Sequence, residues 1–167
     1  MAKDFTFDVV SEFDLSEVHN AIDQTKREIA NRYDFKGSSA SVEFDPKIGN
    51  GQVTITGDNQ FHLDSIIDIL RKRFAARDIS QKTLDASREP VTSNLKMTWQ
   101  VPLIKGLDQD KAKAITKLLR DRFPKVKTQI QGDAVRVSST SKDDLQAVMQ
   151  LLRTHDFDFP LNFTNYR

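Results

Sequence analysis

The chain has 167 residues, of which 38% are hydrophobic and 29% charged, and its formal net charge is +1. This is enough apolar material for one ordinary domain or two small ones, and too much for a disordered chain. The absence of cysteine excludes a disulfide framework, thiolate zinc sites and a cysteine nucleophile.

No apolar run approaches the roughly 20 residues of a membrane span. Met1-Ala2-Lys3-Asp4-Phe5 leads straight into an alternating segment without an apolar leader, so a cytoplasmic protein is expected. Phe5-Thr6-Phe7-Asp8-Val9 has the period of a half-buried strand. Asp14 or Ser16 then caps a helix whose stripe is Val18, Ala21, Ile22, Thr25 and Ile29, extending to Tyr33. Ala40, Val42 and Phe44 mark a second strand, residues 45–51 a turn cluster, and Val53 and Ile55 a third strand. Asp58 or Asn59 opens a second helix with Leu63, Ile66, Ile67, Leu70 and Phe74 inside, and Ile79–Leu84 reads as a fourth strand.

Residues 85–94 read as a linker, after which the order repeats. Met97, Trp99 and Val101 alternate; Asp108 opens a helix with Ala114, Ile115, Leu118 and Leu119 inside. Val126 and Ile130 lie on a strand, Gly132-Asp133 on a hairpin turn, and Val135 and Val137 on the returning strand. Ser141 with Asp144 resembles a capping box for a helix bearing Leu145, Val148, Met149 and Leu152. The tail from Phe157 to Tyr166 is aromatic-rich and extended. Residues 53–71 lie over 135–153 at a constant shift of 82, with coincident apolar positions.

Each copy therefore reads β-α-β-β-α-β, the split βαβ or ferredoxin-like motif. The expected fold is α+β: two tandem ferredoxin-like domains, 1–88 and 89–167, each with two helices on one face of a four-stranded antiparallel sheet and the other face open. Residues 1–93 hold 12 basic and 16 acidic residues, and residues 94–167 hold 13 and 8. The second half is thus the candidate for an anionic partner.

Side chains alternate across a strand. With the apolar positions inward, the second sheet presents Lys96, Gln100, Lys127, Gln129, Gln131 and Arg136, whereas the first presents Ser39, Ser41, Glu43, Gln52, Thr54 and Thr56. Cations neutralise phosphates and amides bond base edges, so the second sheet is the candidate nucleic-acid surface. The stacking aromatics of RNA-recognition domains are absent from Val53-Thr54-Ile55-Thr56 and Val135-Arg136-Val137-Ser138. Lys113, Lys117 and Arg120 form a helical stripe that reads as a solvated face.

Catalytic chemistry finds little support. His19, His62 and His155 have no ligand-like spacing and read as surface residues, and there is no Gly-Lys-Ser/Thr phosphate loop and no Gly-x-Gly-x-x-Gly run. No metal site, cofactor or catalytic residue is expected.

Several segments resemble the YajQ family of bacterial proteins across essentially the whole chain. They are Phe7-Asp8-Val9-Val10-Ser11-Glu12 with Asp14-Leu15, Arg32-Tyr33-Asp34-Phe35-Lys36-Gly37, Gln129-Ile130-Gln131-Gly132-Asp133 with Val135-Arg136-Val137, Ser141–Met149, and the ending Asn162-Phe163 with Asn165-Tyr166-Arg167. The resemblance implies that strands 4–10 and 95–102 are exchanged between the two domains, so that Thr6 and Asp8 replace Lys96 and Gln100 on the basic sheet. It also implies nucleotide and nucleic-acid binding: RNA or tRNA, GTP or ATP, or cyclic di-GMP with a transcription factor as protein partner. Arg32, Asp34, Lys36, Arg136, Asn165 and Arg167 are polar members of the resembling segments. With Lys127, Gln129 and Gln131 they make up the candidate nucleotide-binding set. Three functions are expected in order: a non-enzymatic nucleotide or RNA binder, a cyclic di-GMP sensor, and a protein-interaction module without a nucleic ligand.

Overall fold

The computed structural model describes residues 4–167. The leaderless reading of residues 1–3 falls outside them. The described residues form eight strands and four α-helices: β1 Phe5–Val10, α1 Leu15–Asn31, β2 Ser41–Asp45, β3 Gln52–Gly57, α2 Gln60–Ala76, β4 Val91–Ser93, β5 Lys96–Pro102, α3 Gln109–Arg122, β6 Lys127–Gln131, β7 Ala134–Ser139, α4 Lys142–Thr154 and β8 Asn162–Thr164. They make two antiparallel sheets, in the orders β6-β7-β1-β8 and β2-β3-β5-β4. The protein has two ferredoxin-like units, and each takes the first strand of its sheet from the other half of the sequence. One unit contains the chain up to Glu12 together with Lys105–Arg167, and the other contains Phe13–Ile104. The cut between residues 88 and 89 falls inside the latter, because β4 and β5 close its sheet.

The exchange changes the electrostatic picture. Counted over these units instead of sequence halves, the charges are 13 basic against 11 acidic in the unit that contains the C-terminus, and 12 against 13 in the other. A contrast of +5 against −4 along the sequence becomes +2 against −1. Any attraction for anions therefore has to come from local geometry and not from a strongly basic domain.

Local signals explain where the helices begin. Asp14, Asn59, Asp108 and Ser141 are the N-caps, and their side chains accept from the backbone N–H of Ser16, His62, Lys111 and Asp144. Each satisfies an N–H that the helix leaves without a partner. Helix α1 stops at Asn31, so Tyr33 does not extend its buried stripe and is 89% exposed. The inner face of α3 is Ala112, Ile115, Thr116 and Leu119 instead of one that includes Ala114. Lys113, Lys117 and Arg120 are exposed, as a solvated stripe requires.

The core of the Phe13–Ile104 unit joins Val18, Ala21 and Ile22 of α1 and Leu63, Ile66, Leu70 and Phe74 of α2 to Val42, Val53, Ile55, Trp99 and Val101 of the sheet. Trp99 is a core residue, and its Nε1–H donates to Arg88 O at 2.7 Å. His62 is buried, with Nδ1 accepting from the backbone N–H of Asp58; the expectation of a surface histidine fails there because the ring closes the turn from β3 into α2. In the other unit Phe7, Val9, Val135, Val137, Ile115, Leu119, Val148 and Met149 are buried.

Ile79–Leu84 does not form the fourth strand; it is a 3-10 turn over Gln81–Thr83 and a single bridge from Leu84 to Leu103. The fourth strand is β4, inside the segment read as a linker. Its three exposed residues are too few to show a period. The hairpin to β5 turns on Asn94 and Leu95, whose φ values are 53° and 66°. Two positive values define a type I′ turn, which favours Asn-Gly, so a leucine there hides the signal.

Leu95 is 91% exposed and packs on little. A left-handed leucine costs about 1–2 kcal/mol, and glycine adds about 0.5–1 kcal/mol of chain entropy. Leu95→Gly should therefore stabilise the protein by about 0.5 kcal/mol, read as a higher urea midpoint at unchanged m-value.

Candidate nucleotide-binding face

The sheet β6-β7-β1-β8 presents one face away from α3 and α4. Its register places Lys127, Ser138 and Thr6 in one row, and Gln129, Arg136, Asp8 and Thr164 in the next. Alternation puts these side chains on the open face, together with Gln131, while Phe7, Val9, Val135 and Val137 go inward. Lys96 and Gln100 are absent from this face because β5 belongs to the other sheet. Thr6 and Asp8 take their rows.

The centre of the face is a charged network. Asp8 is only 6% exposed. Its carboxylate accepts from Arg136 Nε at 3.0 Å and Nη2 at 3.4 Å, and from Asn165 Nδ2 at 2.9 Å. The Arg136 guanidinium holds the Asp8 carboxyl below the usual range against the opposing cost of burial, with Asn165 and the nearby charge of Arg167 adding to the effect. The same pairing raises Arg136 further above its ordinary value. Arg136 is therefore not a free cation, and the face is less basic than the alternation alone implies. A guanidinium carries five N–H donors, and the pair with Asp8 leaves three of them for a ligand, on a side chain that is 36% exposed. The carboxylate orients the fork and offsets its formal charge.

Asn165 reaches Asp8 through a distortion of the edge. Strand β8 pairs Val10 with Asn162, Val9 with Phe163 and Asp8 with Thr164. The next pair in this register would be Thr6 with Tyr166. Instead Thr6 exchanges both backbone hydrogen bonds with Arg167, at 2.9 and 3.2 Å. One extra residue is accommodated at Asn165, whose φ is 57°, making a β-bulge of the kind that re-aims side chains. Asparagine tolerates this left-handed conformation better than most residues.

Lys127, Gln129, Gln131, Arg136, Asn165 and Arg167 thus lie in one unit, the first four on the open face and the last two in the tail beside it. Lys127, Gln129 and Gln131 are exposed. Arg32, Asp34 and Lys36 lie in the other unit, around the short 3-10 turn Tyr33–Phe35 after α1. There Arg32 is bidentate to Asp34, at 3.0 and 2.8 Å, and its guanidinium sits 5.1 Å from the Phe35 ring. The pair raises the Arg32 pKa and lowers that of Asp34. Arg32 also lines an open cleft of about 360 Å³ with Gln24, Arg27, Glu28, Asn31 and Arg73, in which Arg73 is paired with Glu28 at 3.2 Å. Lys36 is exposed. Among the described residues no group of three or more His, Asp or Glu side chains is placed to hold a metal ion, and no helix is long and apolar enough to cross a membrane.

Asp8 is the residue missing from the candidate set. It lies 128 positions from Arg136 in sequence, and it becomes a neighbour only through the exchange of β1. Its signal was a lone carboxylate at an outward position of a strand otherwise built of Phe, Thr and Val.

These features define a class: an α+β protein of two ferredoxin-like units, one of whose open sheets carries a preoriented arginine among amides and hydroxyls. Comparison with known proteins places it further. The family model described as nucleotide-binding protein YajQ-like matches residues 5–167, and the chain belongs to that family. It is 48% identical over 167 residues to a nucleotide-binding protein of Trichodesmium erythraeum and 46% identical over 167 residues to one of Trichormus variabilis, with 100% of both chains covered in each case. A nucleotide-binding protein of Nocardioides sp. is 46% identical over 165 residues, covering 98% of this chain and 99% of its own. Each of these names describes binding, and none names a reaction.

Proposed function

We propose that the protein binds single-stranded nucleic acid without catalysing a reaction, and that the open face of the sheet β6-β7-β1-β8 contacts the ligand backbone. The observation that carries this reading is the Asp8–Arg136–Asn165 network. It fixes a guanidinium on the open face, part-exposed and with donors that Asp8 does not engage, and with Lys127 and Gln129 on the same row or the next. A side chain already held in its binding geometry loses little entropy on contact with a phosphate. Amides at Gln129, Gln131 and Asn165 supply hydrogen bonds that do not depend on charge.

The reading predicts a shallow salt dependence. Two phosphates, one at Lys127 and one at Arg136, give a slope of about −1.4 in log affinity against log salt for a short single-stranded RNA. Fluorescence anisotropy should find this slope reduced to about −0.7 in Lys127→Ala, with the loss of affinity similar across sequences. Unchanged affinity in both Lys127→Ala and Arg136→Ala would remove the face from consideration. Calorimetry with cyclic di-GMP in parallel separates the second reading, a cyclic-dinucleotide sensor that signals to a protein partner: heat with that compound and none with RNA would replace the first reading by the second. A protein partner retained at high salt after nuclease treatment, with neither ligand bound, would favour an interaction module.

A further inference from the structure

The bulge that brings Asn165 to Asp8 has a second consequence, on the opposite side of the sheet. Strand β8 ends at Thr164, and the displaced tail rejoins β1 only at Arg167. The helix-facing side of β1 is left incompletely covered there. A cavity of about 340 Å³ opens between the start of β1, the first turns of α4 and the tail.

Its lining is unlike the open face. Phe7 is fully buried and Met149 nearly so, and both belong to its deep end. Phe5 and Tyr166 offer aromatic faces nearer the surface, Tyr166 being 58% exposed and lying 6.3 Å from the Phe7 ring at an interplanar angle of 25°. The polar lining residues are Thr6, Gln146 and two cations, Lys142 and Arg167. Lys142 Nζ stands 5.0 Å from the Phe5 ring, directed over the cavity wall.

Flat aromatic walls, one amide and two cations at the rim are the recognition elements of a single nucleotide. The rings stack on a base, the amide bonds its edge, and the cations pair with a phosphate. The volume is near the lower end of the roughly 300–1,000 Å³ of small-molecule sites, which suits one nucleotide and not a strand. Asp143 and Asp144 occupy the same helical turn as Lys142, so the phosphate belongs between the Lys142 and Arg167 side chains at the mouth and not on the helix N-terminus itself.

We propose that this cavity is a mononucleotide site, separate from the open face, in which a purine stacks on Phe5 and Tyr166 while Lys142 and Arg167 hold its 5′-phosphate. The proposal rests on the reading of the chain as a nucleotide binder, but not on the role of the open face. It moves base recognition to the helix side of the sheet, and so accounts for an open face that lacks stacking rings.

The test titrates the full chain with GMP and AMP, by calorimetry and by ¹H–¹⁵N correlation spectra. Expected are shifts at Phe5, Phe7, Gln146, Met149 and Tyr166. Affinity should weaken about tenfold in Tyr166→Leu, the lower part of what a base–aromatic stack contributes, and by a similar factor in Lys142→Ala. Lys127→Ala should leave mononucleotide binding unchanged while weakening RNA. Shifts confined to Lys127, Gln129 and Arg136, or full affinity in the Tyr166→Leu/Lys142→Ala double variant, would overturn the site. So would RNA binding with no response to either mononucleotide at about 1 mM, a result that leaves the proposed function intact. Mononucleotide binding of the expected pattern with no RNA binding would uphold the cavity and remove the open face.

Discussion

Gly57→Ala should destabilise the protein by about 3 kcal/mol, the upper part of the usual range for forcing extra atoms into a packed site. Gly57 ends β3, and two residues later Asn59 caps α2. A Cβ built on Gly57 would stand 2.5 Å from His62 Cβ. That atom is fixed to the helix backbone, so no rotamer change relieves the overlap, and α2 has to move away from the sheet it packs on. The core between them contains Leu63, Ile66, Leu70 and Phe74, all fully buried, and close-packed interiors do not yield freely. Urea unfolding measures the loss. The double variant Gly57→Ala/His62→Gly should lose less than the two single changes added together, because removing the His62 side chain removes the clash. A loss below about 1 kcal/mol for Gly57→Ala would show that β3 and α2 separate without resistance.

Asp8→Ala comes next, with an expected cost of about 2 kcal/mol. The residue is nearly buried and accepts three hydrogen bonds, two of them from a cation. The figure lies below that for breaking a fully buried ion pair, since Arg136 keeps contact with water. The same pair makes a pH signature. The Asp8 carboxyl titrates below its ordinary value because Arg136 donates to the charged form. Its contribution to stability is therefore complete above the ordinary carboxylate pKa, about 3.9, and is lost as pH falls through the lowered native value. Unfolding midpoints of the wild type and Asp8→Asn, measured from about pH 6 down to about pH 2, should differ by a constant amount at the upper end and converge in acid. Parallel curves throughout would mean that Asp8 is not the titrating group. Asp8→Asn also removes one point of the hold on Arg136, so RNA affinity measured on the same samples reports whether orientation matters to binding.

These two sites differ in how far they were legible before the fold was known. Gly57 lies at the junction of an alternating segment and an Asp58-Asn59 cap, which the sequence marks plainly; the close approach to His62 depends on the angle between strand and helix, which it does not mark. Asp8 alternates correctly, so its face was readable. Its partner is not legible in the pattern of residues, because pairing with Arg136 depends on which sheet β1 joins, and only the family resemblance implied that sheet. The hairpin at Asn94-Leu95 was hidden for a local reason: a leucine occupies the left-handed position where glycine would have announced the turn. The tail shows the opposite case. Its aromatic and amide residues stand out in the sequence, whereas the bulge at Asn165 that aims them is a mismatch of one residue in a ladder and leaves no trace in composition.

The amino-acid sequence by itself determined the number and order of the helices, their caps, most of their buried stripes and the alternation of the strands, because these arise from contacts within a few residues. The pattern of residues left open which sheet β1 and β5 complete; only the family resemblance implied the exchange, and the tertiary structure decided it, with β1 in the sheet of β6, β7 and β8 and β5 in the other. Phe5–Val10 and Lys96–Pro102 both alternate apolar and polar residues, so either would cover either core. Their choice is made by pairing between β1 and β7 across 126 or more positions and between β3 and β5 across 40 or more, which no short-range pattern encodes. From that choice follow the near-even charge of the two units, the Asp8–Arg136 pair and the cavity beside Tyr166.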